Sequence, residues 1–153
     1  MPIPRRQDER SCMRSSAELV CVDPRRVLEI WPYVAPLLKA ACVRTGLNAL
    51  ADIEADILSG RSLLWLAWNG QAIEAAAATV LIETEIGKVC IITACGGRAM
   101  RRWLPLIFEI ENYAKAEGCS RVRIFGRKGW LRALEGFEEK YVIMDKELSQ
   151  WVR

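Results

Sequence analysis

The sequence predicts an α+β fold in which a mixed, mostly antiparallel sheet is flanked by helices. Apolar residues recur at helical spacing in three stretches. Between the second and the third stretch, residues 63–94 show the apolar patterns of strands, separated by turn residues. The chain has 153 residues, of which 52% are hydrophobic and 27% charged, a balance typical of one globular domain and not of a disordered chain. One domain is therefore expected.

The amino-terminal residues differ from the rest. Residues 1–16 contain two prolines and four arginines and almost no periodic hydrophobicity. This composition predicts a basic N-terminal arm, followed by a single domain at residues 17–153. The domain is expected to begin with a short strand at 18–22.

Two helices are predicted next. Asp23 and Pro24 suit the start of a helix, as N-cap and first helical residue, and the apolar pattern continues to about residue 44. Pro32 and Pro36 lack an amide hydrogen and clash with the turn before them, so a break or kink is expected near residues 31–36. A second helix is predicted at residues 50–58.

The second half begins with a meander. The pair Asn69–Gly70 predicts a two-residue hairpin turn, and Gly87 marks another reversal. A long helix and its closing Gly118 follow the third strand. The predicted elements are strands at 63–68, 72–83 and 89–94, a helix at 103–117, a strand at 121–125, a short helix at 129–134 and a last strand at 137–148.

Cysteine and histidine usage restricts the chemistry. The chain has six cysteines, no pair spaced as CxxC and no histidine, so neither a zinc site nor histidine acid–base catalysis is expected. No metal is therefore predicted, and a reducing compartment is favoured. The cysteines in apolar patterns are predicted to be reduced core residues: Cys21, Cys42, Cys90 and Cys119.

Charge and hydropathy argue against membranes and nucleic acid. The longest apolar run, residues 75–82, is too short to cross a bilayer, and the N-terminus is polar where a signal peptide is apolar, so a soluble, unprocessed protein is expected. A net charge of +3 with 19 acidic residues is too small to indicate nucleic acid by itself.

The junction between the third strand and the long helix is the best candidate site. Residues 89–118 run from an apolar strand through Gly96 and Gly97 into a helix, a layout in which backbone amides and the helix dipole can hold a phosphate. Three arginines and Trp103 crowd the same turn. The layout favours ligand binding and the bulky side chains oppose it.

The order of elements, with the segments AKAEGC (114–119), SRVRIFG (120–126) and EGFEEK (135–140), resembles the GNAT acyltransferase superfamily over residues 63–148. Residues 126–148 more particularly resemble small GNAT-like proteins encoded in phages and prophages, including internal virion proteins of short-tailed phages. The resemblance implies a GNAT fold and raises the question of an acetyl-CoA site.

That family binds the pyrophosphate of acetyl-CoA with a sequence motif. The motif consists of Gln or Arg, any two residues, Gly, any one residue, and then Gly or Ala. Arg98 fits the first position, but Arg101 and Trp103 stand where small residues are needed, and the indole is expected to occupy the space of the anion. Gly96 and Gly97 could take the place of the motif's small residues only if the loop were shifted by a few residues. A solvated basic turn explains the arginines equally well. The resemblance implies these candidate cofactor-binding residues: Ala94, Gly96, Gly97, Arg98, Met100, Arg101 and Arg102.

The catalytic residues stay unassigned. The family's general acid is a tyrosine in the short helix, and the corresponding residue, four before Gly136, is Arg132. Cys95, a thiol at a strand end near a helix start, can be a nucleophile, but without histidine to activate it a bystander role is favoured. The other candidates lie off the family position or in exposed turns: Tyr113, Tyr141, Glu83 and Glu85.

Three hypotheses follow. The first is a GNAT-fold phage- or prophage-type protein that has lost acetyl transfer, needs no cofactor and contacts other virion or assembly proteins, with a homo-oligomer left open. Trp130 and Trp151 beside arginines favour such contacts. The alternative is an acetyl-CoA-dependent N-acetyltransferase acting on an amine. The third, weakest hypothesis is a nucleic-acid-binding module. The expected location is the host cytoplasm or the virion.

Overall fold

The computed structural model describes residues 17–150, so the predicted arm at 1–16 and Trp151 lie outside the described residues. It contains five strands, four α-helices and three short 3₁₀ helices within that range. Their bounds are β1 Glu18–Cys21, 3₁₀ Pro24–Arg26, α1 Val27–Thr45, α2 Leu50–Leu58, β2 Ser62–Trp68, β3 Ile73–Thr84, β4 Gly87–Gly97, α3 Met100–Trp103, 3₁₀ Leu104–Leu106, α4 Ile107–Ala116, β5 Arg121–Ile124 and 3₁₀ Lys128–Arg132.

The strands form one mixed sheet in the order β1-β2-β3-β4-β5. Neighbouring strands are antiparallel from β1 to β4, and β5 runs parallel to β4. The parallel pair is possible because α3 and α4 form the crossover between β4 and β5. The predicted α+β class, with a mostly antiparallel sheet flanked by helices, is confirmed.

A hydrophobic core lies on each face of the sheet. On the first face α1 and α2 pack against β2, β3 and β4, with Val34, Leu38 and Ala78 fully buried. On the second face α4 packs against alternate residues of the same strands, including Trp65 and Ile92. The consecutive apolar residues of β3 and β4 follow from this, because a strand covered on both faces needs apolar side chains in both directions.

Helix α1 continues through both prolines, so the predicted break near residues 31–36 is wrong. Pro32 and Pro36 both face solvent, where water can satisfy the carbonyls that lose their helical partners. The buried face of the helix extends to both sides of the prolines, from Val27 to Cys42, and its packing on the sheet stabilises the helix across them.

The hairpin between β2 and β3 has four loop residues instead of the predicted two. Trp68 pairs with Ile73, and the Asn69 side chain accepts hydrogen bonds from the amides of Gln71 and Ala72, both at 2.8 Å. Asparagine thus closes the turn through its side chain as well as through its backbone.

The predicted last strand is also wrong. Residues 137–150 carry no strand, and all residues from 138 to 150 are exposed. The residue pattern indicates an extended backbone, but a strand also requires a partner in register, and the pattern carries no information about a partner.

Two smaller expectations can be compared with the structure. Cys42 and Cys90 are buried as predicted and Cys119 is half-buried, but Cys21 is exposed at the end of β1, so its core assignment is wrong. Within the part of the chain that the structure describes, no helix is long and apolar enough to cross a membrane.

Candidate functional site

The candidate site is a small cleft where β4 and β5 diverge. The two strands pair only from Val89 to Ile92 on β4 and from Arg121 to Ile124 on β5. Beyond this point β4 continues along β3 to Gly97, whereas β5 ends and the chain turns away. The cleft is lined by Ala41, Arg44, Thr45, Ile92, Thr93, Ala94, Cys95, Ile124, Phe125, Gly126, Arg127 and Trp130.

A bulge at Thr93 opens the cleft. Ala78 of β3 faces Ala94 while Thr79 faces Ile92, which leaves Thr93 without a partner in the register. The Thr93 hydroxyl donates to the Ala78 carbonyl at 3.3 Å, and the Asn48 amide donates to the Thr93 carbonyl at 3.0 Å. Because a bulge bends and twists its strand, β4 leaves the direction of β5 at this residue.

The two glycines at the end of β4 are required by close packing. A Cβ atom on Gly96 would overlap the backbone carbonyl of Leu37 in α1, and one on Gly97 would lie 2.5 Å from the Glu74 carbonyl in β3. Glycine is therefore needed here to let backbones approach each other, apart from any role toward a ligand. Ala94, another candidate cofactor-binding residue, is buried against α1 and α2.

Glu74 holds the loop that follows β4. Its backbone carbonyl accepts from the Arg98 amide at 3.0 Å, and its carboxylate lies 2.9 Å from the Arg102 guanidinium and accepts from the Asn69 amide at 3.1 Å. The Glu74 side chain is only 11% exposed, so the ion pair through Oε1 offsets part of the cost of burying the charge, while Oε2 is buried without a hydrogen-bond partner. Glu74 is not among the residues predicted for the site, although a lone carboxylate within an apolar strand indicates a buried partner.

The candidate arginines therefore differ in their surroundings. Arg98, Arg101 and Arg102 are all exposed, as is Met100, but Arg102 also forms an ion pair with Glu74 of β3. Ala99 adopts a left-handed conformation with φ of 51° and turns the chain from β4 into α3. Arg98, Ala99, Met100 and Arg101 thus present the surface of the loop to solvent.

Trp103 does not occupy the space above the loop, which corrects the expectation for its indole. The side chain is 4% exposed, its Nε1 donates to the Arg98 carbonyl at 2.8 Å, and its ring centroid lies 6.1 Å from that of Trp130. The indole is thus a core group on the inner side of the loop, and the helical turn that begins at Met100 directs it there.

The structure separates most of the proposed catalytic residues from the cleft. Glu83 and Glu85 lie at the β3–β4 turn, at the opposite end of β4 from the cleft, and both are exposed. Tyr113 packs edge-on against Trp65 with ring centroids 5.2 Å apart. The Arg123 guanidinium lies 5.5 Å from the centre of the Tyr141 ring, and both residues line a wider groove that shares residues 124–127 and Trp130 with the cleft.

The ionisable groups that line the cleft are Arg44, Arg127 and Cys95. Burial raises the pKa of the Cys95 thiol to about 12. Away from the cleft, burial and then the nearby Glu117 carboxylate raise the pKa of Tyr113 to about 12. Between residues 17 and 150, no cluster of three or more His, Cys, Asp or Glu side chains is arranged to hold a metal ion.

We expect Cys95 to resist alkylation in the folded protein. With a pKa of about 12, only about one thiol in 10,000 is ionised at pH 8. Iodoacetamide at pH 8, followed by peptide mass spectrometry, should label exposed Cys21 at least tenfold faster than Cys95, and denaturant should abolish the difference. Equal labelling rates in the folded protein would contradict a half-buried, protonated thiol at Cys95.

The same thiol predicts a pH dependence of stability. Its pKa is raised from 9.0, so between pH 9 and about 12 the folded chain retains a proton that the unfolded chain releases. The contribution of the protonated Cys95 thiol to the free energy of unfolding is complete below pH 9 and is lost as the pH rises toward about 12.

Comparisons with known proteins agree on the fold. No protein-family model matches the chain, and no curated protein matches it. Among solved structures, an aminoglycoside acetyltransferase from an uncultured soil metagenomic sample, in complex with sisomicin, has a TM-score of 0.67 and 10% identity, over 90% of this chain and 99% of that chain.

Two further structures are similar. A predicted acetyltransferase with acetyl-CoA from Clostridium acetobutylicum has a TM-score of 0.59 and 14% identity, over 86% of this chain and 96% of that chain. A GNAT family acetyltransferase from Staphylococcus aureus has a TM-score of 0.61 and 12% identity, over 87% of this chain and 99% of that chain. At these identities the likeness concerns the fold. The chain therefore has the fold of the GNAT-family acetyltransferases.

Proposed function

We propose that this chain is a GNAT-fold protein of the phage or prophage type that has lost acetyl transfer and acts by contacting other proteins, as an interaction or virion component. The observation that carries the proposal is the set of ionisable groups in the cleft. Acetyl transfer from CoA requires a group that can protonate the departing thiolate near neutral pH. A thiol with a pKa of about 12 is too weak an acid for this step, and the other ionisable side chains of the cleft are two guanidinium groups, those of Arg44 and Arg127.

The residue at the family's tyrosine position supports the same view. Arg132 belongs to the 3₁₀ helix Lys128–Arg132 and is exposed. An arginine there lacks the phenol hydroxyl of the family's tyrosine, and its charge adds to that of Arg127 and Lys128 in the same turn. This part of the surface is suited to contact with an acidic protein surface.

The second candidate is an acetyl-CoA-dependent N-acetyltransferase acting on an amine. The position of Trp103 favours it, because an indole folded into the core leaves the outer surface of the loop 98–101 open to a pyrophosphate. Arg98 and Arg101, both exposed on that loop, would supply the positive charge. The acetyltransferases among the similar structures, one with acetyl-CoA and one with sisomicin, agree with this candidate.

Calorimetric titration with acetyl-CoA and with CoA separates the two candidates. The proposal predicts no saturable heat with either ligand up to millimolar concentration. Saturable micromolar binding that Arg98→Ala weakens at least tenfold, and that Arg61→Ala leaves unchanged, would overturn it and justify a screen of amine acceptors. Arg61 is a suitable control because it is exposed in the turn before β2, outside the cleft and its loop.

A further inference from the structure

The wider groove beside the cleft is large enough for a ligand that the cleft itself cannot hold. Its volume is about 500 Å³, whereas that of the cleft is about 20 Å³. The groove runs between β5, with the turn that follows it, and the chain from 137 to 145, and the last residues of α1 also line it. Ligand pockets commonly have volumes of about 300–1,000 Å³, so the groove has the size of a binding site.

Positive charge is concentrated on the β5 side of the wider groove. The chain from 118 to 134 contains five basic residues and no acidic residue, and four of the five line the groove: Arg121, Arg123, Arg127 and Lys128. Arg44 of α1 adds a fifth cation. A groove lined by charges of one sign focuses the electric field and attracts a polyanion. The net charge of +3 does not show this concentration, because it averages the groove with acidic surfaces elsewhere.

These five cations have no carboxylate partner. Among residues 17–150, none of them takes part in an ion pair. Three acidic residues line the opposite side of the groove, and one of them, Glu138, lies 3.3 Å from the Lys140 ammonium group. The other two, Glu139 and Asp145, are exposed and form no ion pair with the cations. Like charges without counter-charges repel each other, and a bound anion would relieve that repulsion.

Aromatic rings accompany the cations along the groove. Phe125 and Trp130 line the β5 side and Phe137 lines the opposite side, and all three are half-buried. The Tyr141 ring is 67% exposed, and the Arg123 guanidinium lies over one of its faces, 5.5 Å from the ring centre. The other face of Tyr141 is therefore open. A positively charged groove with aromatic rings on which bases can stack is typical of proteins that bind single-stranded nucleic acid.

We propose that the wider groove binds single-stranded nucleic acid, with phosphates along the β5 side and bases against the aromatic rings. The groove offers contacts to charge and to base faces, which DNA and RNA share, so both are bound without sequence preference. An acidic peptide would use the cations but would leave the aromatic rings without a function, so the rings favour nucleic acid. This binding does not depend on whether the chain transfers acetyl groups.

The test begins with the full chain and two fluorescein-labelled oligonucleotides, oligo-dT and oligo-U of about ten nucleotides. Fluorescence anisotropy at about 50 mM salt should show saturable binding of both. A DNA duplex of the same length should bind at least tenfold more weakly, because its bases are stacked inside the helix and cannot reach the rings. For a single strand the logarithm of the binding constant falls with the logarithm of salt concentration by about 0.7 per phosphate contact, so contacts to three to five cations predict a slope of about −2 to −3.5.

Variants distinguish the groove from the rest of the surface. Arg121→Gln combined with Arg123→Gln should weaken binding at least tenfold and reduce the size of the salt slope by about 1.4. Tyr141→Ala should weaken binding at least fivefold through lost stacking, whereas Tyr141→Phe keeps the ring and should bind like the wild type. The matched control is Lys39→Gln combined with Arg61→Gln, which removes the same charge from exposed residues outside the groove and should change binding less than twofold.

Circular dichroism verifies that each variant is folded. A wild type without saturable binding of either oligonucleotide overturns the proposal, and binding of poly-glutamate in place of the oligonucleotides assigns the groove to an acidic protein. A duplex bound as tightly as the single strand, or Tyr141→Ala binding like the wild type, also overturns it, since charge alone would then explain the affinity. Binding that the double arginine variant leaves intact belongs to another surface and overturns it as well.

Discussion

Replacement of Trp103 by alanine lowers the free energy of unfolding by about 3–5 kcal/mol, the range typical of removing a fully buried tryptophan from a core. The side chain is 4% exposed and contacts Trp130, and its Nε1 donates a hydrogen bond to the Arg98 carbonyl at 2.8 Å. The substitution removes the apolar contacts and also leaves that carbonyl without its indole donor. Urea unfolding followed by circular dichroism measures the loss.

Phe108→Ala is the matched control, because this aromatic residue lies in α4, shortly after Trp103, and is 54% exposed. This substitution should lower the free energy of unfolding by less than about 1 kcal/mol. The same variants test the anion site, since a core indole predicts that Trp103→Ala does not strengthen binding of acetyl-CoA. A variant with wild-type stability and tighter binding of acetyl-CoA would show that the indole occupies the ligand's space after all.

The sheet could be predicted because its signals are local. The turns at Asn69 and Gly87 separate apolar runs whose composition indicates strands, and a chain that reverses at each turn forms a meander. The antiparallel order β2-β3-β4 and the helix that follows β4 can be predicted from these signals and from the short connections between the three strands. The predicted break at Pro32 and Pro36 and the predicted strand at residues 137–148 are wrong, because contacts with partners distant in the sequence decide both outcomes.

The candidate site was less predictable for the same reason. Gly96 was considered for phosphate binding, but its structural requirement comes from Leu37, 59 residues earlier in the chain. The direction of the Trp103 indole depends on the start of α3 and on Trp130, and neither has a local signal near the loop. Residue types alone therefore identified the loop but not which of its faces is buried.

Gly96→Ala is expected to lower the free energy of unfolding by about 3 kcal/mol, at the upper end of the usual cost of overpacking. The added methyl group would overlap the Leu37 carbonyl, which is backbone within α1 and cannot rotate away as a flexible side chain would. The helix would have to move off β4, and the fully buried Leu38 beside it would lose contacts. Urea unfolding of the variant measures this cost.

Gly129→Ala is the matched control, because a Cβ atom at Gly129 meets nothing within 4 Å and its φ is not in the left-handed range. It should change the free energy of unfolding by less than about 0.5 kcal/mol. If both variants were equally stable, α1 would lie farther from β4 than the structure places it, and Gly96 would be free to serve a ligand. A large cost at Gly96 alone means that this glycine fixes α1 against the strand on which the cleft is built.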